Sequence, residues 1–113
     1  MPFINTKTNI CITEEQELSL KTEFGKAISL IGKSEPWLML GFEDNCRMYF
    51  QGDNQSPAAF VEVKLYGKAG KNDYANLTAR LTEIIAATLS VPANRIYIKY
   101  EEVDHWGWNG ANF

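Results

Sequence analysis

The sequence predicts an α+β fold in which one βαβ unit occurs twice and the strands of both units share one sheet. Strand-like and helical segments follow each other in the same order over residues 2–43 and again over 58–101. Each helical segment carries a single apolar stripe, so we expect both helices on one face of that sheet. A length of 113 residues suits one domain. We therefore expect a single domain over residues 1–113, ending in an aromatic tail at 103–113.

The first unit begins with residues 3–8, FINTKT, whose alternation and β-forming residues predict a strand. Thr13 is a candidate helix N-cap with Gln16 three positions later, which is the spacing of a capping box. Apolar residues then recur at helical spacing until Gly32, where we expect the helix to end. Residues 37–42, WLMLGF, form a short apolar run that predicts a buried strand.

A loop separates this unit from the second. Residues 44–57 are rich in Asp, Asn, Gly, Ser and Pro around RMYF, which predicts a turn, a brief strand and a loop. Residues 58–66 then predict a strand, 72–89 a helix with one apolar stripe, and 95–100 a strand with alternating faces. The tail at 103–113 holds two Trp and a Phe without helical spacing, so we expect it to dock onto another subunit.

Composition and charge exclude several functions. A net charge of −3 argues against nucleic acid binding, which needs clustered Lys and Arg. No apolar run approaches the roughly 20 residues that span a bilayer, and the N-terminus lacks the layout of a signal peptide. We therefore expect no membrane association and a cytoplasmic protein, secreted only by a route that needs no signal peptide. Cys11, Cys46 and His105 are too scattered for a metal site, and we expect no cofactor.

The dipeptide Met1-Pro2 has two interpretations. Proline can be a rigid lead-in to an edge strand. Alternatively, Met1 is removed, as is usual before a small residue, and Pro2 then carries a free secondary amine. In an apolar pocket beside cations the pKa of that amine would fall below about 8, the usual value for an α-amino group. Such an amine could act as a base next to a carbonyl, or form an iminium with a carbonyl substrate.

Other candidate positions are open to both structural and functional interpretations. Lys33 follows the first helix and could simply complement the negative end of the helix dipole. Tyr97 and Lys99 lie two residues apart in the strand IYIKY and therefore share a face. By themselves they are equally consistent with a packed aromatic ring and a solvated lysine. Trp106 and Trp108 are candidate core or interface anchors.

Taken together, these segments resemble the macrophage migration inhibitory factor family of the tautomerase superfamily. The resemblance rests, in chain order, on MPFI, GK after the first helix, LYGK at a strand end, SVPANRIYIKY and the terminal GWNGANF. It implies a homotrimer whose subunits each hold a four-stranded mixed sheet with two helices on one face, plus short strands that reach into neighbours. It also implies active sites between subunits, and phenylpyruvate-like or dopachrome-like acids as substrates.

The resemblance also implies roles for individual residues. Pro2 matches the catalytic base, and Lys33 matches the lysine that binds the substrate carboxylate. Tyr66 stands where the family has an apolar residue whose backbone contributes to the pocket. Tyr97 matches a tyrosine supplied by the adjacent subunit. The aromatic residues near the pocket rim are matched here by Trp108 and Phe113.

Three departures from the family pattern change these expectations. Residues 58–61 replace the CxxC that follows the matching Pro57 in vertebrate members, so thiol–disulfide oxidoreductase activity is not expected. Lys99 stands where Asn is common, and a second cation there is expected to favour acidic substrates. Tyr66 is bulkier than the usual residue and is expected to change the shape of the pocket.

The function expected from the sequence is a phenylpyruvate- or dopachrome-type keto–enol tautomerase with Pro2 as general base. The alternative is a cytokine-like signalling protein that binds a cell-surface receptor and whose pocket is vestigial.

Overall fold

The computed structural model describes residues 1–113, which form two α-helices and six strands. Helix α1 spans Glu14–Ala27 and helix α2 spans Lys71–Leu89. The strands are β1 (Pro2–Thr8), β2 (Met39–Glu43), β3 (Ala59–Tyr66), β4 (Ile96–Val103), β5 (Gly107–Trp108) and β6 (Ala111–Asn112). Neither helix combines the length and the apolarity that crossing a membrane would require.

The first four strands form one mixed sheet in the order β2-β1-β3-β4. Strand β1 runs parallel to β2, and β3 runs parallel to β4, while β1 and β3 meet antiparallel at the centre. Because α1 connects β1 to β2 and α2 connects β3 to β4, each parallel pair with its helix is one βαβ unit. The predicted α+β fold with duplicated βαβ units is therefore confirmed.

The hydrophobic core lies between the two helices and one face of the sheet. Along β1 and β3, buried residues alternate with half-buried ones, because successive side chains of a strand point to opposite faces. The buried set includes Ile4, Val61 and Val63, which belong to one apolar cluster with Leu20 of α1 and Leu81 of α2. Both helices thus cover the same face, as predicted.

The other face of the sheet carries no helix, and we call it the open face. Its side chains are aromatic at both ends of the sheet and mostly charged between them. They are Phe3, Asn5 and Lys7 of β1, Phe60, Glu62, Lys64 and Tyr66 of β3, and Tyr97, Lys99 and Glu101 of β4.

Helix α1 begins with the predicted capping box. The Thr13 hydroxyl accepts from the Gln16 N–H at 3.1 Å, and the Gln16 side chain accepts from the Thr13 N–H at 3.0 Å. After Ala27 the chain tightens into a 3₁₀ turn over Ile28–Ile31. Gly32 then ends the helical segment with φ of 73°, a left-handed conformation that glycine adopts without a side-chain clash. The prediction that the segment ends at this glycine is confirmed.

The prediction of a buried strand at 37–42 is wrong in two respects. Trp37 belongs to a one-turn 3₁₀ helix, and β2 starts only at Met39. Strand β2 is also an edge of the sheet and pairs only with β1, which leaves Met39 67% exposed. Leu40 and Phe42 of β2 pack against the core, so β2 is a half-buried strand.

The brief strand predicted within 44–57 is also absent, and only an isolated bridge joins Phe50 to Asp53. The buried side chain of Arg95 holds this segment in place instead. The guanidinium group of Arg95 donates to backbone carbonyl oxygens of residues 50–57 that a neighbouring strand would otherwise bond, so this segment does not need to join the sheet. Arg95 donates at 2.9–3.2 Å to the carbonyl oxygens of Phe50, Asp53, Ser56 and Pro57.

Two buried threonines of β1 allow a matched test of this core. The Thr8 hydroxyl donates to the Ala58 carbonyl at 2.8 Å, whereas the equally buried Thr6 hydroxyl has no partner. Thr6→Val should raise the free energy of unfolding by about 1 kcal/mol, because it removes an unsatisfied polar group. Thr8→Val should lower the free energy of unfolding by about 1 kcal/mol, because the Ala58 carbonyl oxygen loses its hydrogen bond from the Thr8 hydroxyl. Urea denaturation at equal protein concentration measures both, and equal losses in the two variants would contradict the assignment.

Candidate active site

Pro2 opens β1, which is a central strand, and lies directly across from Leu65 of β3. Proline is tolerated as the first residue of a strand, and its ring is buried here. The interpretation of Pro2 as a lead-in to an edge strand is therefore wrong. In this chain Met1 is attached, so the Pro2 nitrogen is an amide nitrogen and cannot accept a proton.

Lys33 reaches the same corner of the sheet from the loop after α1. Its Nζ donates to the carbonyl oxygen of Tyr66 at 3.0 Å, and the Tyr66 N–H donates to the carbonyl oxygen of Met1 at 3.2 Å. Tyr66 thus connects the ammonium group of Lys33 to the start of the chain. Lys33 takes part in no ion pair. Its side chain is bound to the end of β3 and not to the carbonyls of the first helix, which favours the functional interpretation.

The surroundings of the N-terminal amine favour its uncharged form. Burial, and to a smaller extent the positive charge of Lys33, lower the pKa of the Met1 amine below its usual 8.0. Removal of Met1 would move the free amine onto Pro2, which is more deeply buried than Met1. The same two causes would therefore act on a prolyl amine at this position.

An aromatic cleft of about 430 Å³ opens beside Pro2. The rings of Trp37 and Trp108 meet edge to face there, with centroids 5.3 Å apart, and each side chain is about half exposed. Such walls suit a planar aryl group. The cleft is lined by Met1, Pro2, Pro36, Trp37, Leu38, Met39, Trp106, Gly107 and Trp108.

Sequence reasoning missed Trp37 as a wall of this cleft. It placed Trp37 inside a strand, where its ring would have faced the core or the open face. The signal that could have found it is Pro36, because proline favours the first turn of a helix and so separates Trp37 from the strand that follows.

The C-terminal tail folds back onto this end of the sheet. Strands β5 and β6 form a hairpin through Asn109 and Gly110, both with positive φ, and the Phe113 N–H donates to the Trp106 carbonyl at 3.1 Å. The Phe113 ring lies 5.4 Å from that of Tyr66. A single chain therefore gathers five of the predicted site residues: Pro2, Lys33, Tyr66, Trp108 and Phe113. Docking of the tail onto another subunit stays a prediction.

The two remaining predicted site residues lie elsewhere. Tyr97 is paired with Phe60, five residues along β3 from the partner of Pro2, which corresponds to about 17 Å. Its ring contacts Phe50 at 4.9 Å and borders a second, apolar cavity of about 250 Å³. Lys99, on the same face, forms an ion pair with Glu101 at 2.8 Å. One chain does not bring Tyr97 or Lys99 to Pro2.

Together, the sheet order, the two βαβ units and the proline at the start of a central strand define a protein with the tautomerase-superfamily fold. The solved structure of Pt0534 inactivated by 2-oxo-3-pentynoate has this fold. It is 12% identical and matches with a TM-score of 0.87 over 97% of this chain and 94% of that one.

More specifically, the chain belongs to the macrophage migration inhibitory factor (MIF) family, whose model matches residues 1–113. The macrophage migration inhibitory factor of Xenopus laevis is 29% identical over 100% of this chain and 99% of its own length. The crystal structure of MIF2 from Leishmania major is 32% identical, with a TM-score of 0.94 over 100% of this chain and 97% of that chain.

The influence of Lys33 on the amine can be measured directly. In the chain that keeps Met1, Lys33→Gln should raise the pKa of the Met1 amine, because it removes a positive charge that disfavours the ammonium form. A pH titration of the amine by NMR measures this pKa. Lys68→Gln is the matched control. It also removes one positive charge, but Lys68 does not act on the Met1 amine, so the pKa of that amine should not change. A lower pKa in Lys33→Gln, or equal shifts in both variants, would overturn the electrostatic coupling.

Proposed function

We propose that this protein is a keto–enol tautomerase of phenylpyruvate-like and dopachrome-like acids. The general base is the secondary amine of Pro2, released when Met1 is removed. The observation that carries the proposal is the burial of Pro2 at the start of a central strand, beside an aromatic cleft and the unpaired cation of Lys33. Membership of the MIF family, together with the tautomerase-superfamily fold, supports the same reaction class.

The reaction needs a neutral base, an anchor for the acid and an apolar wall. The Pro2 amine takes a proton from the carbon next to the carbonyl, and the resulting enolate is protonated on oxygen to give the enol. The reverse direction returns a proton to that carbon. Lys33 holds the carboxylate, so that the reacting carbon faces the amine, while Trp37 and Trp108 contact the aryl ring. No metal or cofactor enters these steps.

The pH dependence follows from the same contacts. Burial and Lys33 both disfavour the ammonium form, so the amine should be neutral at a lower pH than an ordinary α-amino group. Activity should therefore rise as the pH passes upward through the lowered pKa, at a lower pH than an ordinary α-amino base would require. The cation that binds the substrate thus also helps to keep the base uncharged.

The site is completed by a second copy of the chain in this proposal. Tyr97 lies at the opposite end of the sheet from Pro2, and Lys99 lies two residues closer to its middle; both are exposed on the open face. In a homotrimer with active sites between subunits, this end of one chain meets the Pro2 end of the next. The rings around Tyr97, namely Phe50 and Phe60, then become part of the interface.

Pro2→Gly tests the role of the amine. With Met1 removed in both proteins, as verified by mass, the variant should lose at least about a hundredfold in kcat/KM for phenylpyruvate, because a flexible primary amine replaces the fixed prolyl base. Wild-type protein that retains Met1 is the matched control and should be equally inactive, since its Pro2 nitrogen is an amide. Full activity in either protein would refute Pro2 as the base.

The acetylenic acid 2-oxo-3-pentynoate offers a second readout of the same variants. This compound inactivates Pt0534, and a neutral amine can add to an alkyne that is conjugated to a ketone. One equivalent should attach to the Pro2 nitrogen of the processed wild type. In the protein that retains Met1 the Pro2 nitrogen is an amide and should carry no label, as located by mass spectrometry of the N-terminal peptide.

Subunit mixing tests whether the site lies between copies. Pro2→Gly and Tyr97→Ala should each be inactive alone, whereas trimers assembled from equal amounts should regain about a quarter of wild-type activity. The reason is that every mixed trimer contains one interface with both residues intact. Light scattering should report a trimer for each protein. A monomer, or mixed trimers without regained activity, would contradict the shared site.

A cytokine-like function is the second candidate, because the relatives carry the name macrophage migration inhibitory factor. That function would use the outer surface of the trimer and a cell-surface receptor. Receptor binding that survives Pro2→Gly would separate it from catalysis.

A further inference from the structure

Four charged side chains form a compact group on the open face, where β3 and β4 run parallel. We call Glu62, Lys64, Lys99 and Glu101 the charge quartet. In the strand register Glu62 faces Lys99, and Lys64 faces Glu101. The Lys99 ammonium also contacts the Glu101 carboxylate at 2.8 Å along the same strand. The quartet contains two positive and two negative charges and is therefore neutral as a whole.

The ion pair between Lys99 and Glu101 favours the charged form of both side chains, and their opposite charges largely cancel each other's electric field at a distance. Glu101 and, more weakly, Glu62 raise the pKa of Lys99, and Lys99 and Lys64 lower the pKa of Glu101. The Lys99 ammonium and the Glu101 carboxylate, 2.8 Å apart, together form a dipole. The field of a dipole falls off more steeply with distance than the field of a single charge. An anion that approaches Lys99 from the neighbouring subunit therefore meets little net attraction.

Lys33 is in the opposite situation. Its ammonium group contacts a backbone carbonyl and no carboxylate, so its charge remains available to a ligand. A site assembled from the Pro2 end of one chain and the Tyr97 end of another thus contains two lysines. Only one of them carries an uncompensated charge.

We propose that Glu101 is a specificity-determining residue, which neutralises Lys99 and so restricts the site to aryl 2-oxo acids with a single carboxylate. The inference rests on the proposed function, in which Lys99 of one copy borders the cleft of another. It reverses the expectation drawn from Lys99 alone, because the cation that would favour more acidic substrates is already paired within its own strand.

The test compares phenylpyruvate with its para-carboxyl derivative, which adds a second carboxylate at the far end of the ring. Glu101→Gln should raise the ratio of kcat/KM for the derivative to that for phenylpyruvate by about tenfold, because it exposes the charge of Lys99. Glu62→Gln is the matched control. It removes the same charge from the same face but leaves the pair at 2.8 Å intact, so the ratio should change by about twofold or less. The double variant Glu101→Gln/Lys99→Met should return to the wild-type ratio.

Two results would overturn the proposal: an unchanged ratio in Glu101→Gln, or equal increases in Glu101→Gln and Glu62→Gln, which would indicate a general charge effect. If Glu101→Gln does not assemble, Glu101→Asp provides the second test. The shorter side chain of aspartate weakens the ion pair with Lys99 at the same net charge. We therefore expect a kcat/KM ratio between that of the wild type and that expected for Glu101→Gln, and an unchanged ratio refutes the proposal.

Failure of the proposed function remains distinguishable from failure of this inference. If the wild type converts neither acid, the tautomerase proposal fails. Quenching of the cleft tryptophans then measures the dissociation constants of the two acids in the same variants. The ratio of these constants should follow the same order, and a ratio that is insensitive to Glu101→Gln overturns the specificity role.

Discussion

The antiparallel pairing of β1 with β3 is the contact on which the rest of the molecule depends. It joins the two βαβ units, because each unit by itself holds only one parallel pair of strands. Its register places Pro2 across from Leu65, so the start of the chain lies beside the end of β3 and the backbone of Tyr66. A shift of one residue would turn every side chain of β1 to the opposite face and would move the chain start away from Lys33.

Two nitrogen groups share that corner, the ammonium group of Lys33 and the N-terminal amine. The ammonium group of Lys33 donates to the Tyr66 carbonyl. The N-terminal amine is partly buried beside that charge, and both effects lower its pKa. The corner therefore places a lysine cation next to an amine whose uncharged form is favoured, which is the combination that acid binding and proton abstraction require.

The open face explains why assembly matters to the proposed mechanism. Aromatic residues stand at both of its ends, with charged residues between them, and the two ends are too far apart for one chain to bring Tyr97 to Pro2. Contact between the ends of different copies would bury the aromatic groups next to the charged middle rows of the sheet. In those rows Lys99 and Glu101 already satisfy each other within one strand, so a partner need not supply a counter-charge.

The sequence by itself determined what depends on neighbours along the chain. The apolar spacing of both helices, the Thr13–Gln16 cap, the end at Gly32 and the alternation of β3 and β4 all act within a few residues. The resemblance carried by its motifs also indicated Pro2 and Lys33. Only the tertiary structure decided that β2 is an edge and β1 a central strand, that Arg95 replaces a strand between the units, and that Trp37 faces the cleft. It likewise decided that Lys99 is paired within its own strand. These outcomes depend on strand order and on contacts between residues far apart in the chain, which local patterns of hydrophobicity do not encode.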